Sequence, residues 1–171
     1  MAELTTKERL QPSLLDRLTD DDPQLGRESR DRRVLSMRRL RQCVLRDLEW
    51  LLNTVNLAVT EDLEPFPHAA RSVVNYGMPE LAGSFASNVD LRLIERGVRQ
   101  AIVDFEPRIL ADTVQVRAVV SEESMDHNAL TFEIEGELWA QPMPEKLLLK
   151  TEIDLEVGVV TVSEQPGGRS G

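Results

Sequence analysis

The hydrophobic pattern of this chain changes period once, at Phe105-Glu106-Pro107-Arg108. Upstream of that point, apolar residues recur every three or four positions, the spacing of an amphipathic helix. Downstream they alternate, the spacing of a half-buried strand. Val34, Met37, Leu40, Val44, Leu48, Leu51 and Val55 trace one helical face of about five turns. Leu91, Ile94, Val98, Ile102 and Phe105 trace a second, with Ser87-Asn88-Val89-Asp90 as a candidate capping box and Pro107 as its stop. Beyond the corner, Val114, Val116, Ala118 and Val120 form one alternating set, and Leu130, Phe132, Ile134, Gly136 and Leu138 a second. A third set runs Leu147, Leu149, Thr151, Ile153, Leu155 and Val157, and Gly158 offers a turn into a last strand at Val159–Val162. Strands in sequence order with one polar face predict an antiparallel meander. The expected fold class is α+β, with two main amphipathic helices packed on a small, mainly antiparallel sheet.

The 171 residues suit one hydrophobic core. Aromatic residues make up only 4% of the chain, so that core must rest on Leu, Val and Ile. The organisation expected is a flexible N-terminal segment over 1–32, a single α+β domain over 33–162 and a disordered tail over 163–171. Within the first segment lies a docking island at 13–18, Ser13-Leu14-Leu15-Asp16-Arg17-Leu18, where helical spacing puts Leu14, Leu15 and Leu18 on one face behind a Ser13 N-cap. An island so short cannot fold alone. It either folds back on the domain or docks on another protein.

A net charge of −10 argues against general nucleic-acid binding, since phosphates are repelled overall. The exception is the arginine-rich start of the first long helix (Arg27, Arg30, Arg32, Arg33, Arg38, Arg39, Arg41). It reads as a solvated face, as a surface for an acidic partner, or, less readily without interleaved aromatics, as a nucleic-acid contact. One cysteine, Cys43, excludes an internal disulfide and fits a reducing compartment. The start shows no signal-peptide pattern and no run is long enough to span a bilayer, so a cytoplasmic protein with no membrane insertion is expected.

No chemistry-bearing motif stands out. His68 and His127 lack metal-ligand spacing to Cys43 or to a carboxylate cluster, Gly83-Ser84 is not a nucleophile elbow, and no glycine-rich phosphate loop is present. No cofactor or metal is expected. Glycoside hydrolysis needs two carboxylates flanking a cleft, one of them held protonated. Glu106 is the acid in an unusual position, and Arg108 beside it favours the ionised form, the wrong state for a general acid. The chain therefore reads as a non-enzyme, with a lysozyme-like peptidoglycan hydrolase using Glu106 as the alternative.

A carboxylate at a helix C-terminus opposes the macrodipole and calls for a cation. Arg108 offers a planar five-donor fork for that purpose, or for a partner's carboxylates and carbonyls. The pair either closes on itself as a helix-stop salt bridge or engages another chain. If these segments engage another chain, the residues that meet it are Glu106, Pro107 and Arg108 at the corner, and Leu14, Leu15, Arg17 and Leu18 in the island.

Six stretches, in order, carry a family resemblance: Ser13 to Leu18, Arg46 to Thr54 (RDLEWLLNT), Ser72 to Pro79 (SVVNYGMP), Phe105 to Arg108 (FEPR), Phe132 to Trp139 (FEIEGELW) and Thr151 to Glu156 (TEIDLE). The chain resembles TssE, the small baseplate subunit family of the bacterial type VI secretion system, and the contractile phage tail wedge proteins once labelled lysozyme-like. The resemblance implies a sheath-handshake-like fold and a structural role without enzymatic activity. It also implies wedge partners TssF and TssG bound in part through the EPR triplet, and seeding of a sheath of TssB and TssC by strand augmentation. The implied location is a cytoplasmic baseplate near the inner membrane.

Overall fold

The computed structural model describes residues 13–18, 37–79, 91–119, 129–139, 144–154 and 157–165. The helices are α1 (Leu14–Leu18), α2 (Met37–Leu52), α3 (Pro67–Ala70) and α4 (Leu91–Phe105), and the strands are β1 (Gln115–Val119), β2 (Ala129–Leu138), β3 (Glu145–Asp154) and β4 (Val160–Glu164). Single 3₁₀ turns lie at Leu57–Val59 and Val73–Asn75. The strands form one antiparallel sheet in the order β1-β2-β3-β4, the meander that alternation predicts.

One face of the sheet presents Phe132, Ile134, Leu147, Leu149 and Ile153 to Leu40, Val44, Leu48 and Leu51 of α2 and to Ile94, Val98 and Ile102 of α4, all in a single core. Each fully buried Leu or Ile contributes about 1.5–3 kcal/mol, so the weight of the fold rests on these aliphatic layers. α4 lies against β1 and α2 against β4. On the other face, register sets Glu133 between Arg117 and Lys150, and Glu137 opposite Lys146. Opposed charges across strands stabilise that solvated surface.

Three boundaries differ from the periodicity. α2 ends at Leu52, so Val55, read as an inward position, is exposed and forms an isolated bridge with Met78. The Asn53 amide still donates to Glu49, and beyond it the chain pairs with Met78, whose amide donates to Thr54 and whose carbonyl accepts from the Asn56 amide. β3 ends at Asp154, and Val157 lies exposed in the turn before Gly158, whose φ of 75° suits glycine. β4 continues through Ser163 and Glu164, two residues into the segment read as a disordered tail. It is held there by the amide of Gln165 donating to the carbonyl of Leu148. Val34, the Ser87–Asp90 capping box, Leu155, His127 and residues 1–12 and 166–171 lie outside the described residues.

The corner joins the two halves. The amide of Glu106 donates to Ile102 to close the last turn of α4, and the chain then runs beside the end of β2. There Leu110 donates to the carbonyl of Glu137, and Trp139 donates to that of Arg108. Ile109 sits so close to β2 that a Cβ on Gly136 would lie 2.9 Å from its Cγ2. That approach explains a glycine at an inward strand position.

Candidate functional site

Glu106 is only 3% exposed, and its carboxylate is closed by its own neighbour. Oε1 accepts from the Arg108 amide at 3.1 Å and from Arg108 Nε at 2.7 Å, and Oε2 accepts from Arg108 Nη2 in a short ion pair. Pro107 makes this geometry possible. Its fixed φ turns the chain so that residues 106 and 108 face the same way, while its own ring is exposed. The cation that the helix dipole demands is therefore Arg108, two residues on.

The guanidinium reaches further. Its Nη2 also donates to Asp47 Oδ2 of α2 at 2.6 Å, and Asp47 Oδ1 accepts from Nε and Nη2 of Arg46 at 2.9 and 2.7 Å. Arg46 Nη1 donates to Asp16 Oδ1 of α1 at 2.7 Å, and Asp16 Oδ2 accepts from the Ser13 hydroxyl at 2.6 Å. Five charged groups thus alternate in sign from the end of α4, across α2, to α1. Burial by itself opposes the charge on Arg108, but its bonds to Glu106 and Asp47 outweigh that cost and push its pKa further up. Burial would raise the Asp16 carboxyl, but hydrogen bonds from Arg46 and Ser13 overcome it and bring the pKa down to about 2. Cys43, buried in α2 as its helical position suggested, has its thiol pushed up by burial and by the neighbouring Asp16 charge.

Tyr76 ties the loop after α3 to the same place. Its ring meets Phe105 edge-on at 5.3 Å and its hydroxyl donates to the Asp47 carbonyl at 3.4 Å. The Arg46 guanidinium lies 5.0 Å from the ring centre of Trp50, a cation–π contact. Among the described residues, Arg108 Nη1 is buried without a hydrogen-bond partner.

Of the residues singled out by sequence, the structure brings Glu106, Pro107 and Arg108 together in one turn and links them through α2 to the island. The island folds back on the domain, and it does so by its polar side. Asp16 points in, while Leu14, Leu15 and Leu18 are 71%, 45% and 74% exposed. The side chain of Arg17 lies outside the described residues. Asp16, Arg46 and Asp47 were not singled out as site residues. The only sequence signal for them was their presence inside the quoted blocks, because ion pairs between distant segments leave no periodic trace.

The helices also cap the two outer edges of the sheet. Glu95 of α4 accepts from the Ala118 amide of β1 at 2.7 Å, and Arg99 donates to the carbonyl of Val114, the residue before β1, at 3.0 Å. On β4, Asn53 donates to the Val160 carbonyl at 2.7 Å and accepts from its amide at 2.9 Å.

Among the described residues, no group of three or more His, Cys, Asp or Glu side chains could hold a metal ion, and no helix is long and apolar enough to cross a membrane. Fold and corner together define a two-layer α+β module whose central charges are spent on joining its own segments. Residues 38–143, more than half of the chain, match the family model of the baseplate wedge protein gp25, and the chain belongs to that family. This supports a structural baseplate role and agrees with the resemblance carried by the six sequence blocks. α1, β3 and β4 lie outside the matched span. Comparison with curated proteins and with solved structures finds no match.

Proposed function

We propose that this chain is a non-enzymatic TssE-type baseplate subunit of a type VI secretion system. In this reading it is held by TssF and TssG through the corner and α1, and it starts a sheath of TssB and TssC by strand addition to a handshake-like sheet. The observation that carries the proposal, beyond family membership, is the orientation of α1. A five-residue helix fixed by a buried carboxylate, with Leu14 and Leu18 turned to solvent, is a placement that burial within this chain does not reward. A second apolar surface would reward it. The open backbone supports the sheath contact. With Ala118 and Val160 capped, the outward groups of Val116 on β1 and Val162 on β4 carry no hydrogen bond among the described residues, the arrangement that β-augmentation uses.

The experiment is co-expression of the full chain with TssF and TssG from the same source. A complex is expected with the native chain. Leu14→Asp with Leu18→Asp should lose it at unchanged melting temperature, because neither residue is packed within the chain. Failure of the native chain to co-purify would overturn the reading. The hydrolase alternative has no observation in its favour, because both Glu106 oxygens are held by Arg108, which also bridges to Asp47.

A further inference from the structure

The segment 56–79 is long for a connection and is stapled at several points. The Met78 amide donates to Thr54 and the Asn56 amide to Met78. The Asn75 side chain accepts from the Ala58 amide and donates to the Ala70 carbonyl, and Ser72 caps Val74. Gly77 seals the base with φ 123°, where a Cβ would meet the Thr54 oxygen at 2.3 Å. Yet this rigid loop carries Phe66, Val73 and Val74 at 61%, 81% and 64% exposure. A floppy loop could bury such residues by rearrangement. A stapled one holds them in water at about 25 cal/mol per Å² of apolar surface.

We propose that this loop is a docking shelf for a basic amphipathic helix of a partner protein, separate from the corner, α1 and the sheet edges. Three features select that occupant. The first is charge: Glu61, Asp62 and Glu64 are exposed and have no ion pair among the described residues, so the shelf favours a cationic segment. The second is shape. A cavity of about 500 Å³ is lined by Ala58, Leu63 and Pro67 together with Glu61, Asp62 and Glu64, and the Arg71 that also lines it reaches Asp104 at 3.6 Å, so the cavity suits a long cationic side chain with an aliphatic stem and a charged tip. The third is the backbone. The shelf consists of short helical turns, with the amides of Phe66, Ala70, Ser72 and Asn75 bonded within it, so it offers no strand edge, and the incoming segment must satisfy its own backbone as a helix does. The rigidity of the loop lowers the ordering cost of association.

The test uses the full chain and a fluorescein-labelled peptide of about 18 residues with Leu at helical spacing and Lys elsewhere. Controls are a scrambled peptide of the same composition and a Leu/Glu counterpart. The Leu/Lys peptide should bind about ten-fold more tightly than either control by anisotropy, and Val73→Ser with Val74→Ser should remove that advantage. Backbone amide shifts should fall on residues 57–79, and Glu61→Lys with Glu64→Lys should shift preference to the Leu/Glu peptide. Phe66→Ser provides a second apolar variant, and thermal melts of all variants should match the native chain. Equal binding of the scrambled peptide, a footprint centred on α1 or the sheet, or indifference to the serine variants would overturn the proposal. So would a dimer of the native chain that the serine variants dissolve, since the occupant would then be a second copy.

Discussion

The Asp16 carboxylate accepts from the Arg46 guanidinium at 2.7 Å across thirty positions of sequence, and this contact fastens α1 to the domain. Asp16→Asn should release α1, seen as faster hydrogen exchange and new proteolysis within 13–18 while the core stays protected. The same contact sets an acid dependence. A carboxyl whose folded pKa is near 2 contributes stability above its unfolded value of 3.8, and that contribution is lost as pH falls from 3.8 through about 2. Discounted for the partly exposed Arg46, it amounts to roughly 1–2 kcal/mol. Acid unfolding of Asp16→Asn should therefore show a shallower pH slope below 4 than the native chain. Equal slopes would contradict the role given to Asp16.

Arg108 is shared by two carboxylates, one of them almost fully enclosed. Removing it strands the buried Glu106, while Asp47 keeps its bonds from Arg46, and loss of one partner from a buried pair costs about 3–5 kcal/mol. Arg108→Ala should lower the urea midpoint by a corresponding amount. Glu106→Gln with Arg108→Met, which removes both charges and keeps volume, should recover much of it. A corner variant that loses partners must therefore be checked for folding before the loss is assigned to contact.

Two glycines should respond in opposite directions. Gly77→Ala places a methyl against the Thr54 carbonyl at a φ that side chains rarely adopt, and strain of this kind costs on the order of 1–3 kcal/mol. Gly97 lies within α4 with its nearest neighbour, Met78 Cε, at 4.0 Å. Gly97→Ala should raise stability by about 0.5–1 kcal/mol through helix propensity. Calorimetric melts of the two variants decide both.

The edge caps predict a solubility effect. Asn53→Ala frees both backbone groups of Val160, and Glu95→Ala frees the Ala118 amide. Exposed strand edges self-associate. Light scattering at rising concentration should show larger species for the double variant than for the native chain. An unchanged mass would mean that the caps are dispensable.

How much of this was legible beforehand follows from what leaves a periodic trace. Leu40 to Leu51 and Ile94 to Ile102 bury one helical stripe each, and Phe132, Ile134 and Leu138 bury one strand face, so helices, strands and meander order could all be read. The stop at Pro107 and the need of Glu106 for a cation followed from local chemistry. Val55 and Val157 were misplaced because alternation and helical spacing both continue past the residue where a long-range backbone pairing, Thr54 and Asn56 with Met78, or a turn at Gly158 ends the element. The link from Arg108 through Asp47 and Arg46 to Asp16 was invisible for a related reason. Nothing in spacing alone says which of several acids and arginines meet across a fold.

The double contact of Asn53 with Val160 has a consequence for any strand that joins β4. Asn53 fills both hydrogen-bonding positions at the start of that edge, so the first vacant pair belongs to Val162. An added strand must count its alignment from there. Slippage by two residues towards the turn would require evicting a side chain that α2 holds in place, so one asparagine serves as the zero mark from which an incoming strand is measured.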